Sequence, residues 1–222
     1  SASRENFSNS YAHADDPILI VYTSGTTGTP KGAVLTQNAL IFNAINSVSM
    51  HDMTSKDIVF TNLPMFHVGG LNIQTVPAIQ AGATVILHRR FELSNTIQVI
   101  NEDKPTLMIL VPALMAAMIQ SKDWENIDFS SLRTINTGST TVSRSLIEAF
   151  HDCGVPVIQV YGSTETAPIA IHQRIPDAYC TVGSTGRAAL YCEAKIVDKN
   201  GDELGPEERG EIVVRGPNIM SG

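Results

Sequence analysis

Cysteine is scarce in this chain: three residues, Cys153, Cys180 and Cys192, among 222. They are too few and too scattered for a disulfide framework, so the sequence reads as that of a cytoplasmic protein kept in a reducing compartment. Long hydrophobic runs are also missing. No stretch approaches the ~20 apolar residues of a transmembrane segment, and the start has no signal-like core. Positive charge is in deficit, with 15 Lys and Arg against 22 Asp and Glu and a formal net charge of −7. A nucleic-acid partner would need a basic footprint, and the sequence offers none. His13, His51, His88, His151 and His172 show no metal-like spacing among themselves or with the cysteines, which argues against zinc. There is no internal repeat and no low-complexity tract.

What is present has the balance of a globular protein, 43% apolar and 17% charged. The length allows one large core or two small domains. Residues 1–16 are polar and read as a lead-in. Strands are expected at 18–22 (a buried one), 58–61, 84–88, 107–111, 132–136 and 157–160. Between them the spacing predicts a helix over 38–50 with Leu40, Ile41, Ala44, Ile45 and Val48 on its apolar face. A second covers 71–79 and ends at Gly82, and a third carries Leu93, Ile97 and Ile100. A fourth follows Pro112, with Met115 and Met118 as core residues, and a fifth carries Leu146, Ile147 and Phe150 and stops at Cys153-Gly154. This rhythm predicts an α/β fold, a mostly parallel sheet with flanking helices from about residue 17 to 175. Past Gly183 the pattern changes to short strands at 194–197 and 211–215 around a turn-rich segment with Asn200-Gly201, which predicts antiparallel sheet. The expected division is 17–180 and 181–222.

Four stretches carry chemistry. In the first, Thr23, Ser24, Gly25, Thr26, Thr27, Gly28, Thr29, Lys31 and Gly32 combine small hydroxyl residues, glycines that let the backbone approach a bulky anion, and one mobile charge. That combination suits a phosphate or pyrophosphate, although the spacing is not that of the ordinary P-loop; a flexible surface loop is the competing reading. The second is Pro64-Met65-Phe66-His67-Val68-Gly69-Gly70, where His67 beside two glycines could face a bound organic group or could simply be packed at a helix start. In the third, Gly138, Ser139 and Thr140 follow a predicted strand, the place where ligands collect in open sheets, or else make an ordinary turn. Fourth is Tyr161-Gly162-Ser163-Thr164-Glu165, which supplies a ring to stack on a base, a hydroxyl for a phosphate oxygen and a carboxylate for a metal. Taken alone, Glu165 is more readily a solvent-exposed glutamate.

The run Tyr22 to Gly32 closely resembles the phosphate-loop signature of the adenylate-forming (AMP-binding) enzymes, which include acyl-CoA ligases, and Tyr161 to Glu165 resembles their Tyr-Gly-x-Thr-Glu signature. Looser likenesses at Val182–Arg187 and Gly210–Met220 extend this across the chain. The resemblance implies an acyl-CoA synthetase-like large domain, with 181–222 the start of a β-barrel subdomain. It implies ATP (AMP) and Mg²⁺, with CoA and a small-molecule carboxylic acid as further substrates. It also implies that Lys31, Thr164 and Glu165 are catalytic and that Glu165 holds the metal. His67, Val68, Gly69, Gly138 and Ser139 would line the acyl site, and Gly138, Ser139, Thr140, Tyr161 and Gly162 the adenine site. A medium- or long-chain fatty acid is the expected substrate. An adenylation domain loading an amino or aryl acid onto a carrier is the alternative within the family, and a non-catalytic nucleotide-binding module the alternative outside it. Family members have a further N-terminal portion and a C-terminal domain, so residues 1–222 alone are expected to be inactive.

Overall fold

The structure, a computed structural model, describes residues 11–24 and 29–222. Gly25, Thr26, Thr27 and Gly28 of the glycine-rich stretch lie outside the described residues.

The chain begins with an antiparallel hairpin, β1 (Pro17–Thr23) and β2 (Lys31–Thr36), in which Tyr22 pairs with Gly32 and Thr23 with Lys31. This corrects two expectations, since β1 is outside the parallel sheet and is not a buried strand. Ile18, Ile20 and Tyr22 are exposed, whereas Val21, Ala33 and Leu35 pack inward. A two-stranded ribbon has one covered face, so only alternate residues are buried even where both rows are apolar.

Helix α1 (Gln37–His51) is capped by Thr36, whose hydroxyl accepts from Ala39 N at 3.1 Å. The strand β3 (Ile58–Thr61) follows. The helix expected at 71–79 begins earlier, as α2 (Val68–Gly70), runs through a wider π segment (Leu71–Thr75), and closes as α3 (Val76–Ala81). Gly82 then takes the left-handed conformation, φ 73°, that ends helices. Strand β4 (Thr84–Leu87), helix α4 (Leu93–Glu102), strand β5 (Leu107–Ile109) and helix α5 (Pro112–Ile119) come next, then β6 (Thr134–Thr137), α6 (Arg144–Asp152) and β7 (Val157–Tyr161). Two short strands, β8 (Ile171–His172) and β9 (Arg187–Ala188), complete a seven-stranded sheet of order β4-β3-β5-β6-β7-β8-β9. It is parallel from β4 to β7 and antiparallel from β8 on, so its sense changes at Ile171, before the sequence pattern does. Finally, β10 (Glu193–Val197) and β11 (Glu211–Arg215) pair antiparallel as a separate sheet.

One side of the sheet is apolar: Phe60, Met108, Ile135, Met115, Met118 and Phe150 form a single cluster with α4, α5 and α6. The other side, under α1, differs from expectation. Asn43, Asn46, Ser47 and His51 are buried there, while Ile41 is exposed. Each of these four α1 residues has a hydrogen-bond partner that makes its burial tolerable. Asn43 Nδ2 donates to Asn72 O at 2.7 Å, the Ser47 hydroxyl donates to Ile73 O, and His51 Nδ1 donates to Ser47 O at 2.8 Å. Among the described residues no helix is long and apolar enough to cross a membrane.

Candidate active site

Parallel strands send their loops to the carboxyl edge of the sheet, and three adjoining cavities of about 270, 330 and 350 Å³ open there. Ser139 lines all three. It does so from the left-handed region, φ 76°, a conformation that costs a non-glycine residue energy and is most often kept where a ligand site needs it. Beside it Gly138 passes close to β7, since a Cβ there would lie 2.6 Å from Val160 O. Gly162 has even less room, with Pro168 O 1.6 Å from where its Cβ would be.

The first cavity is apolar, walled by Leu63, Ile73, Ile109 and Val111, with Phe66 and His67 at its edge. His67 caps α2, its Nδ1 accepting from Gly69 N at 2.9 Å. A neutral ring held this way carries its proton on Nε2, leaving a donor for a ligand oxygen. The second cavity has Thr23, His67, Ser163, Thr164 and Glu165 in its wall. Thr164 and Glu165 begin the single turn Thr164–Thr166, which Ser163 and Thr166 brace through Ser163 N donating to Thr166 Oγ1 at 2.9 Å. The third is lined by Gly138, Thr140, Tyr161, Gly162 and, from the later loop, Gly183 and Thr185.

The site residues predicted in the second, third and fourth stretches border these cavities together with Thr23, whereas the other described residues of the glycine-rich stretch do not. Val68 is buried with Val21, Leu35 and Ala39 and stays out of the apolar cavity, though it borders the second one. Lys31, Ser24, Thr29 and Gly32 sit at or near the loop end of the hairpin and line none of the three cavities. Two residues that the motifs did not flag hold the Glu165 loop. Asn43 Oδ1 accepts from Ile169 N at 3.0 Å, and Asn218 Nδ2 donates to Thr166 O at 2.7 Å and Ile169 O at 3.0 Å. The one sequence signal for Asn43 is the helical spacing of Asn43, Ser47 and His51.

Among the described residues no group of three His, Cys, Asp or Glu gathers as a metal cage. A lone carboxylate beside hydroxyls nevertheless fits Mg²⁺ carried by a nucleotide, because Mg²⁺ keeps several waters and takes one or two protein carboxylates plus phosphates. It does not fit a dedicated protein-only metal site.

The family model described as AMP-binding enzyme matches residues 2–222. The chain is 52% identical over 205 residues to the indoleacetate–CoA ligase of Aromatoleum aromaticum, covering 92% of this chain and 40% of that protein. It is 35% identical over 208 residues to a feruloyl-CoA synthase of Amycolatopsis, covering 94% and 42%. The structure of o-succinylbenzoate coenzyme A synthetase from Bacillus subtilis, in complex with ATP and magnesium ion, superposes with a TM-score of 0.85 at 33% identity over 95% of this chain and 43% of that one. The chain thus spans about two fifths of the length of these relatives. None of the three is named for a fatty acid. Matched along its whole described length in sequence and fold, the chain belongs to the family of AMP-binding enzymes.

Proposed function

We propose that these residues are the nucleotide- and acid-binding part of an ATP-dependent, AMP-forming CoA ligase acting on an aromatic carboxylic acid. The observation that carries this is the meeting of three cavities at Ser139: an apolar one, a mixed one with Glu165 and Thr164, and a mixed one lined by Tyr161. An aromatic acid would place its ring against Ile73 and Ile109 and its carboxylate near His67. Gly69 and Gly70 also line that cavity. The carboxylate would attack the α-phosphate of ATP, giving an acyl-adenylate and pyrophosphate, and the thiol of CoA would then take the acyl group and release AMP. The nucleophile is already ionised, so His67 orients it and abstracts no proton. Thr164 would donate to a phosphate oxygen and Tyr161 would lie against the adenine. Glu165 would hold the Mg²⁺ of the nucleotide, which supplies neutralisation of phosphate charge. Lys31 and the hydroxyls of the glycine-rich stretch would meet the outer phosphates.

The aromatic class replaces the fatty acid expected from sequence, because the similar enzymes are named for indoleacetate, ferulate and succinylbenzoate. Supplying the full-length protein with ATP, Mg²⁺, CoA and a panel of indoleacetate, ferulate, succinylbenzoate, octanoate and palmitate tests the proposal. The expected product is an aromatic acyl-CoA with stoichiometric AMP. Preference for the aliphatic acids, or acyl transfer only to a carrier protein, would contradict it.

A further inference from the structure

The turn bearing Glu165 is a single turn, braced locally by Ser163 and Thr166 and held further by groups from far along the chain. Asn218, fully buried, donates from Nδ2 to both Thr166 O and Ile169 O, the first at 2.7 Å. Its Oδ1 accepts from the Cys192 thiol, Sγ to Oδ1 3.1 Å. Burial pushes that thiol's pKa up, so Cys192 stays protonated and able to donate. Two residues on, Met220 N donates to Glu165 O at 2.8 Å. Next, Ser221 N donates to Val34 O at 2.9 Å, and Val34 N donates to Gly222 O at 2.8 Å. Val34 lies in β2, the strand that Lys31 begins. The short stretch 218–222 therefore ties the Glu165 turn directly to the hairpin of the glycine-rich stretch.

We propose that Asn218 is the positioning residue of Glu165, and that segment 218–222 sets the separation between Glu165 and the phosphate hairpin. The proposal rests on the reading of Glu165 as the Mg²⁺·nucleotide carboxylate. Asn218 suits the task because its two amide hydrogens satisfy two carbonyls of one loop while its oxygen is itself held, which leaves the amide a single orientation. No apolar residue of that size could satisfy those carbonyls, and leaving them unpaired in the interior would let the loop relax toward water. His67, at the edge of the acid pocket, is fixed locally by Gly69 N.

The test uses the full-length protein, acid-dependent pyrophosphate–ATP exchange, and titration of Mg²⁺ at fixed ATP. Asn218→Ala should raise the Mg²⁺ concentration for half-maximal exchange about 10-fold, the usual scale for losing a group that orients a metal ligand, with the KM for acid unchanged. Excess Mg²⁺ should restore much of the rate. Asn218→Ser keeps one donor and should fall between the two; it decides the matter if the alanine variant does not fold. An unmoved Mg²⁺ requirement in the variants would overturn the proposal, as would an equal rise in the KM for acid or a loss of stability alone. Absence of acid-dependent exchange in the unaltered protein would instead overturn the functional reading, and this proposal with it.

Discussion

The two faces of the central sheet are built from opposite materials. Toward α4, α5 and α6 the sheet presents Phe60, Met108 and Ile135 to Met115, Met118 and Phe150, with Trp124 and Phe129 closing the edge. Toward α1 and the π segment it presents Asn136, which meets His51 and the Met50 sulfur. Gln74 Nε2 joins the same group, 3.1 Å from His51 Nε2 and 3.3 Å from Met108 O. Dispersion and water exclusion are indifferent to direction, so the apolar face stabilises without specifying fine geometry. Hydrogen bonds are directional, and a buried network that leaves few alternatives holds its members in one arrangement. The candidate site is attached to the polar face: Asn43 joins the π segment to the Glu165 loop through Asn72 O and Ile169 N. The comparison assigns stability mainly to one face and site geometry mainly to the other.

The strongest way to break this division is at Phe150, which is fully buried with ring centroids 4.9 Å from Trp124 and 5.8 Å from Phe129. Phe150→Ala should lower unfolding stability by about 3–5 kcal/mol in urea titration. Exchange activity per folded molecule should hardly change, because the cavity that remains is on the apolar side. A catalytic defect in protein that remains folded would show that the faces are not separable.

Acid should test the polar face. Burial lowers His51 to a pKa of about 4, outweighing its hydrogen bond to the Ser47 carbonyl. The folded protein thus keeps His51 neutral where the unfolded chain, with an ordinary pKa near 6.5, takes up a proton. Its contribution is intact above about pH 6.5 and is lost as pH falls toward 4, on the order of 3 kcal/mol in total. Burial lowers His172 as well, which acts in the same direction. Urea midpoints at pH 7.5 and 5 should therefore differ, and His51→Gln should flatten that difference. A pH dependence identical to that of the unaltered protein would remove His51 from the explanation.

At Asn43 the expected effects are smaller in stability but visible in function. Asn43→Ala leaves the Ile169 amide and the Asn72 carbonyl unpaired, about 1–3 kcal/mol. Slower exchange should accompany that loss, in contrast to Phe150→Ala. At the bottom of the scale is the exposed Arg144–Glu148 pair on α6, 3.2 Å apart and one helical turn along. Arg144→Ala should change stability by no more than about 0.5 kcal/mol, and less in high salt.

The apolar face was the legible one. Leu146, Ile147 and Phe150, or Met115 and Met118, recur at helical spacing and can only be buried together, so pattern alone locates them. Three of the linked motifs were legible too, because each follows a strand of the central sheet and so belongs to one edge of it, whereas the glycine-rich stretch follows β1 of the separate hairpin. The polar face was not. On α1 the apolar spacing placed Ala44, Leu40 and Val48 inward but Ile41 wrongly, and it missed the buried polar row, since hydropathy does not register that Asn43, Ser47 and His51 have partners at Asn72, Ile73 and Gln74. Those partners depend on the π segment, whose extra residue per turn leaves no hydropathy signal. Asn218 was illegible for the same reason at longer range: its two carbonyl acceptors lie 52 and 49 residues back. The sheet's change of direction at Ile171 was missed because β8 and β9 are two residues each, below any periodicity.

The central claim is that the cleft at Ser139 activates a carboxylic acid with a nucleotide whose metal is held by Glu165. Acid-dependent pyrophosphate–ATP exchange, with and without Glu165→Gln in the full-length protein at saturating Mg²⁺, tests it most directly. The account predicts exchange that requires an aromatic acid, falls about 100-fold or more in Glu165→Gln, roughly 3 kcal/mol of lost transition-state stabilisation, and leaves the melting temperature unchanged. Exchange at the unaltered rate in Glu165→Gln would contradict it.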